Sequence, residues 1–552
     1  MILGVHDGTH DASAALVADG RLVAACAEER FTRVKGQGGW PGSSIVACLE
    51  RAGARAADVD VVTFPGVVNP NPGLRALRGV QGRFRLDEGA FYVDVPSTGA
   101  RLGEWLQFDS PFPRLAGDGW PGRVLRAPLR AVLTRQARAA GFQGEVRVEE
   151  HHLCHAASAY WTCPWDEALV VIADGVGDGL ALSAWVGRPD GLHRIATMPY
   201  PHSYGLLFAT LTAFLGFRPF RHEGKLVGLA ARGDPSRIRT RFPFEGPPEQ
   251  RRFTQHFGRR LRPWLTGLQQ ELDAGATRED LCAWLQVNLE SELGGLIQHL
   301  ATVTGLRRFA LAGGVFANVR LNQRIAALGA IFVHPNMGDG GLAAGAALAR
   351  GARREALAHA FLGPECTTTL GAPVPDVARD IAEALARDRL VGRWEGAMEY
   401  GPRALGHRSI LAPAHDPAVT VRLNRALDRS EFMPFAPLLL AEDADRWVDG
   451  LGNSREAARF MAVTVQARPE LQRLCPAVVH VDGSLRPQLV DDTTPVLQRA
   501  LRLYRARTGV PAVINTSFNL HEEPIVASAE DALRTGRAAG LDLLTFNDRV
   551  LD

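Results

Sequence analysis

The sequence predicts an α/β protein of two to four domains, and three observations predict it. It has 552 residues, whereas one domain usually holds about 100–200. Its apolar runs Ala168–Ala173 and Arg308–Ala312 are continuous rather than alternating, as strands covered on both faces are. Such runs alternate with helical segments and end in small or acidic residues: Asp174-Gly175, Gly313-Gly314 and, after Ile331–His334, Gly338-Asp339-Gly340-Gly341. In open α/β sheets, ligands bind beyond the carboxyl ends of strands.

The chain opens as a β-hairpin. Ile2–Val5 and Ala14–Ala18 are apolar runs, Asp19-Gly20 makes a tight turn, and Leu22–Ala27 returns. A helix is expected near Ser43–Ala52 and a buried strand at 60–64. Residues 66–143, rich in Pro, Gly and Arg, read as an insertion of helices and loops. A strand at Val146 and a helix over His155–Trp161 restart the rhythm, and an Ala-rich helix, Leu342–Arg350, closes it. Ala360–Pro375 reads as a loop, with Thr367-Thr368-Thr369 and several prolines. It divides the chain into domains 1–362 and 363–552, the second with its own α/β alternation and motifs. No short-period repeat or low-complexity tract is evident.

Composition excludes some classes of function. With 62 basic and 60 acidic side chains, the net charge of +2 gives no reason to expect a nucleic-acid partner. No apolar stretch is long enough for a transmembrane helix, and the start lacks the pattern of a signal peptide. Seven cysteines without a C-x-x-C pair fit a reducing cytoplasm.

Two groups of residues carry chemistry. His151 and His155 stand at i and i+4, so one helix presents both imidazoles on one face. Asp174 and Asp339 each follow an apolar strand among glycines. Together the four supply a His₂-carboxylate set suited to Fe, Zn, Mn or Ni. The Gly313-Gly314 turn leads to Asn318 and lets phosphates approach backbone N–H groups. His10, in the first hairpin loop, is a candidate general base. The second group is an anion site. Arg403 and Arg408 lie five apart in Glu399–Ser409 and are expected to clamp a phosphate. Arg429 and Arg486 lie near other turns. Ser517 and Asn519, alternate residues of an extended segment, are expected to face one ligand. Each motif alone has an ordinary structural reading, as a cap, a turn or a solvated charge.

In combination these residues resemble the O-carbamoyltransferases of nodulation-factor and antibiotic biosynthesis, such as the tobramycin and cephem enzymes. The resemblance rests on the His10-Asp11-Ala12-Ser13 opening, Glu28–Arg33, His151–His155, Gly224–Ala231, Ala312–Val315 and Gly338–Gly341. It continues in Glu399–Ser409, Phe432–Pro437, Pro476–Gly483 and Asn515–Pro524. It implies a first domain of the duplicated actin and heat-shock ATPase type (ASKHA) and a second like YrdC, the threonylcarbamoyl-AMP synthase. It further implies that the second domain makes carbamoyl-adenylate from carbamoyl phosphate and Mg-ATP. The first would then pass the carbamoyl group to a hydroxyl of a small metabolite. By position, His151, His155, Asp174 and Asp339 fall on metal ligands, with Fe(II) expected. Lys35, Asp174, Gly205, Gly314 and Asn318 fall on nucleotide contacts, and His10 lies beside the acceptor. Arg403, Arg429, Arg486, Ser517 and Asn519 fall to carbamoyl phosphate. Asp428 and Met433 stand where the antibiotic enzymes carry Lys and Arg, which leaves Arg425 or Arg429 to compensate. A homodimer is left open. A tRNA-modifying carbamoyl transferase and a non-catalytic ATP-binding module are the rival readings.

Overall fold

A computed structural model describes residues 1–67, 120–200, 202–247, 252–253, 261–350, 352–365, 367–428 and 435–551. The predicted insertion at 66–143 lies mostly outside the described residues, as do Arg429 and Met433. Two five-stranded sheets fill the first part of the chain. In the first, β1 (Ile2–His6) pairs antiparallel with β2 (Ser13–Ala18), which pairs with β3 (Arg21–Ala27). On its other side β1 pairs parallel with β4 (Val61–Pro65), followed by β5 (Glu145–Glu149). The second sheet repeats this order. Its centre, β6 (Ala168–Gly177), pairs antiparallel with β7 (Leu180–Arg188), which pairs with β8 (Gly191–Pro199). A small ribbon, β9 (Phe244–Glu245) and β10 (Arg252–Phe253), intervenes. Then β11 (Arg308–Ala312) pairs parallel with β6, and β12 (Ala330–Val333) with β11. The protein is thus α/β, with a duplicated sheet that its sequence shows no repeat for.

The helices are exchanged between the halves. Of those that matter here, α1 is His151–Thr162, after β5, and α2 is Leu342–Leu348, after β12. The first packs on the second sheet, the second on the first sheet, and the two helices cross. The crossing is close because small residues meet there. A Cβ on Gly345 would lie 1.9 Å from the Cys154 carbonyl oxygen, and one on Gly4 1.9 Å from that of Ala343. Strand ends and helix starts from both halves therefore converge on one cleft.

The helix α1 begins earlier than the sequence pattern suggests. Glu150 caps it, accepting N–H bonds from His152 at 3.2 Å and Leu153 at 2.9 Å, while Asp178 accepts from the His151 N–H at 2.9 Å. Two carboxylates at this positive end of the helix dipole favour it by about 0.3–1 kcal/mol each. Pro164 lies just past its end.

The rest of the chain builds an eight-stranded mixed sheet from β13 (Ala372–Pro373), β14 (Val391–Trp394), β15 (Arg408–Pro413), β16 (Ala436–Leu440), β20 (Gln488–Val490), β21 (Ala512–Ser517), β22 (Leu543–Phe546) and β23 (Arg549–Leu551). A three-stranded sheet of β17 (Val448–Asp449), β18 (Val465–Ala467) and β19 (Ser484–Leu485) flanks it. One buried cluster runs continuously from the second sheet into this one. Among the described residues, no helix is long and apolar enough to cross a membrane.

Candidate active site

Four side chains from three stretches of chain meet in the cleft. One ligand atom from each of His151, His155, Asp174 and Asp339 lies within 4.8 Å of every other. The Nε2 of His151 stands 3.2 Å from Asp174 Oδ2 and 3.6 Å from Asp339 Oδ1. The Nε2 of His155 stands 3.6 Å and 3.5 Å from the same two oxygens.

Local structure explains the convergence. Asp174 sits where the β6–β7 ladder breaks, between Ala173 and Gly177. The Gly314 N–H donates to its Oδ1 at 3.0 Å. Gly177 leaves room for an imidazole, since a Cβ there would lie 2.1 Å from the His151 ring. Asp339 opens a short 3₁₀ turn before α2, held by Ser13 Oγ donating to the Gly340 carbonyl at 3.0 Å.

The electrostatics are those of a cation site. Burial opposes a charge on His151, yet Asp339 and then Asp174 outweigh it and hold the imidazole up at about 9. His155 is likewise raised against its burial by both carboxylates. Asp339 is held down at about 2 despite burial and the neighbouring Asp174, and Asp174 lies well below the usual range. The Nδ1 of His155 is buried without a hydrogen-bond partner, and its Nε2 meets only the two carboxylates, at 3.5–3.6 Å. Two imidazoles and two carboxylates around one point fit a divalent ion of the Fe, Zn, Mn or Ni kind.

The other predicted residues of this half fall at varied places. His10 is half-exposed, with Nδ1 3.0 Å from Asp11 and Nε2 3.7 Å from Asp339. Burial opposes its charge, but the Asp11 bond and Asp339 hold it at about 9. To act as a base it must first lose that proton. Gly205, in the first turn after the Ser203 cap, lets its helix press on the end of β6. A Cβ there would lie 2.8 Å from the Asp174 carbonyl oxygen. The Gly314 N–H is committed to Asp174. Asn318 caps the helix Val319–Ala326, and its amide bonds Gln286 at 2.8 Å. Lys35 is exposed, its carbonyl accepting from Arg221 at 2.8 Å.

The anion motifs divide. Arg403 and Arg486 lie near enough for the charge of one to act on the other. Burial lowers both guanidinium pKa values, and Arg403 depresses Arg486 further. Among the described residues, neither has a hydrogen-bond or ion-pair partner. Hydrogen bonds brace the residues that follow Arg403. Glu399 Oε1 accepts the N–H groups of Leu405, His407 and Arg408 at 2.8–3.0 Å. Gln488 donates to the Leu405 carbonyl at 2.7 Å, and Asn515 to that of Ala404 at 3.1 Å.

Arg408 does not share in this. It is fully buried over the Trp394 ring at 4.3 Å and donates to the Glu395 and Gly396 carbonyls. The expectation of an Arg403–Arg408 clamp is corrected accordingly. Nor does Asn519 present its N–H groups to a ligand with Ser517. Ser517 ends β21, whereas the Asn519 amide donates to the Leu520 and Glu523 carbonyls at 2.7 and 3.0 Å. Arg425 lines a surface groove with Val421, Arg422 and Gly540, and Arg429 lies outside the described residues.

Sequence reasoning missed His6 and Glu399. His6 ends β1 and is 3% exposed, with both ring nitrogens unpartnered and the charges of Asp339 and His10 acting on it. Burial lowers it to about 4. Its position at a strand end, like that of Asp174, was the available signal.

These features define an α/β protein with an acid-and-imidazole cluster in a duplicated fold and two mostly buried arginines in turns of the part that follows. Two family models match it in turn, carbamoyltransferase N-terminus over residues 1–348 and carbamoyltransferase C-terminus over 382–552. The chain belongs to the carbamoyltransferase family and is a transferase. Among its relatives, nodulation protein NolNO of Sinorhizobium fredii is 32% identical, the match covering 98% of this chain and 79% of that protein. An uncharacterized protein of Synechocystis is 30% identical over 100% of this chain and 96% of its own length. Nodulation protein NolO of Bradyrhizobium diazoefficiens is 32% identical over 71% and 76% respectively. The solved structure of HypF from T. kodakarensis superposes at a TM-score of 0.35 with 14% identity, over 63% of this chain and 47% of that one, too loose a likeness to carry weight.

Proposed function

We propose that the protein is an ATP-dependent O-carbamoyltransferase working in two steps at two centres, divided near residue 362. At Arg403 and Arg486, carbamoyl phosphate, ATP and water give carbamoyl-adenylate, phosphate and pyrophosphate. The intermediate then moves to the cleft, where a hydroxyl of a small metabolite attacks the carbamoyl carbon. The carbon–oxygen bond to AMP breaks, AMP leaves with the electron pair, and the hydroxyl proton is lost.

The observation that carries this reading is the separation of charge. One centre gathers two carboxylates and two imidazoles around a point. The other holds two guanidinium groups together with no counter-charge among the described residues. The chain's own residues then have distinct tasks. Arg403 and Arg486 bind and orient the phosphate dianion, where a guanidinium pair suits planar, bidentate contact. His151, His155, Asp174 and Asp339 would hold a divalent ion, Fe(II) by expectation. When bound, it supplies positive charge to an adenylate phosphate and the carbamoyl oxygen. His10, at the open side of the cleft, takes the acceptor proton once its own is lost. Gly205 shapes the nucleotide's approach. The nucleotide handle contributes binding energy that orients the reacting carbonyl, and keeping both centres in one chain shields a labile intermediate from water.

Isotope exchange between pyrophosphate and ATP tests the first step. It should require carbamoyl phosphate and need no acceptor. Absence of any such exchange would remove the adenylate from the scheme. Adding small alcohols or tRNA and seeking a carbamoyl mass gain then separates the small-molecule reading from the tRNA one.

A further inference from the structure

Tyr400 belongs by sequence to the arginine segment, three residues before Arg403, yet its side chain lies among the elements that hold the ion ligands. It is 2% exposed. Its hydroxyl stands 3.3 Å from His334 Nε2, and it bonds the side chain of Asn336 as well. The directions of these bonds follow from donor supply. Thr162 donates its hydroxyl to the Ser158 carbonyl at 2.6 Å. Its oxygen must therefore accept from His334 Nδ1–H, 3.1 Å away. The Nε2 of a neutral ring is then a lone pair, and Tyr400 donates to it. The tyrosine oxygen is left to accept from the Asn336 amide.

Each partner leads to the ion centre. Thr162 ends α1, whose first turns carry His151 and His155. His334 and Asn336 begin the loop that carries Asp339, and that loop folds tightly, since a Cβ on Gly341 would lie 2.1 Å from the Asn336 carbonyl oxygen. Backbone packing reinforces the link. Gly401 has φ +114°, and a Cβ there would lie 2.7 Å from the Pro335 carbonyl oxygen. Arg30, from the first half, donates to the Gly401 carbonyl at 2.8 Å. One tyrosine thus touches the loop that carries Asp339 and, through His334, reaches the end of the helix that carries His151 and His155, while its own backbone leads to Arg403.

We propose that Tyr400 is a positioning residue that couples the two centres, so that an anion held at Arg403 and Arg486 tightens the hold of His151, His155, Asp174 and Asp339 on a divalent ion. This rests on the two-centre reading given above. An anion that fixes Arg403 also fixes the Tyr400–Gly401 backbone. Tyr400 then presents a settled donor to His334 and acceptor to Asn336, and the Asp339 loop needs less ordering when the ion arrives. Such a link is reciprocal, so the ion must tighten the anion by the same factor. In the reaction, the transfer centre is readied when the activating centre is filled.

The test is a titration of the full-length protein with Co(II), with and without carbamoyl phosphate, in wild type, Tyr400→Phe, Asn336→Ala and Arg403→Ala. Carbamoyl phosphate should tighten Co(II) roughly fivefold or more in wild type, at the lower edge of usual coupling. The effect should shrink to within about twofold in all three variants. Tyr400→Phe should still bind carbamoyl phosphate within about threefold of wild type, which separates coupling from misfolding. No tightening in wild type, or tightening that persists in Tyr400→Phe, overturns the proposal and leaves the two-centre reading standing. Wild type that binds neither Co(II) nor carbamoyl phosphate overturns both. Tightening that persists in Arg403→Ala would place the anion elsewhere and also overturns it.

Discussion

Replacing His155 with Ala should abolish carbamoyl transfer while carbamoyl-phosphate-dependent pyrophosphate exchange survives. The side chain is fully buried, and its Nε2 meets only Asp174 and Asp339, at 3.6 and 3.5 Å. It therefore braces no other part of the surrounding fold by hydrogen bonding. Its loss leaves Asp174 and Asp339 facing each other with one imidazole between them. Two carboxylates without enough positive charge repel, and the cavity left by the ring adds to the damage. Loss of a ligand that steadies several kcal/mol of transition-state charge should lower transfer by more than about 100-fold. Exchange at saturating carbamoyl phosphate should stay within about threefold, because Arg403 and Arg486 lie in turns of the second part of the chain, away from the ion ligands in sequence. Acceptor-dependent product formation and exchange are to be measured on one preparation. Equal losses in both would show that the two half-reactions do not occupy two centres.

Replacing Arg403 with Ala should do the reverse. Its guanidinium is largely screened from water, sits beside Arg486 and has no counter-charge among the described residues. Holding two cations together in that setting is unfavourable until an anion joins them, which is why the pair suits a phosphate. Removing one charge should relieve the free protein and weaken the bound complex. Exchange should fall by about 100-fold or more, the usual cost of a lost charged contact to a reacting anion. The variant should be no less stable than wild type in urea. Arg408→Ala makes the informative contrast. That side chain is an internal strut under Trp394, bonded to backbone carbonyls, so its loss should lower stability first and exchange as a consequence.

The difference between Arg403 and Arg408 shows where sequence reasoning stops. Both stand in one segment, five apart, and nothing in the string says which guanidinium is already bonded. Burial and internal bonding are tertiary facts. The same holds for Asn318 and Asn519, polar residues at turns whose amides turn out to cap or brace backbone. The ion cluster was more legible because two periodicities mark it. The i, i+4 spacing puts His151 and His155 on one face of α1, and an acid at the end of a buried run stands out at Asp174 and Asp339. The central strands were legible as continuous apolar runs. Their neighbours were not: β8 is mostly exposed or half-buried and carries polar residues such as His193 and Arg194, the pattern of an edge strand. The repeat between the sheets is likewise topological. It lies in strand order and direction, which unlike residues can satisfy equally well. Tyr400 was invisible for a further reason, since its sequence neighbours belong to one centre and its hydrogen bonds to the other.

If His151, His155, Asp174 and Asp339 share one divalent ion, a Co(II) titration of wild type at pH 6 and pH 8 will read it out. Without an ion, His151 stays protonated up to about 9 and His155 is also raised, while both carboxylates remain ionised. Binding must therefore expel protons, so it strengthens as pH rises. Release of the His151 proton alone gives about 100-fold tighter binding across those two pH units, and a second proton adds to it. One Co(II) per chain with that pH dependence is the expected result. No bound ion at pH 8, or one whose affinity does not change between the two pH values, would contradict it.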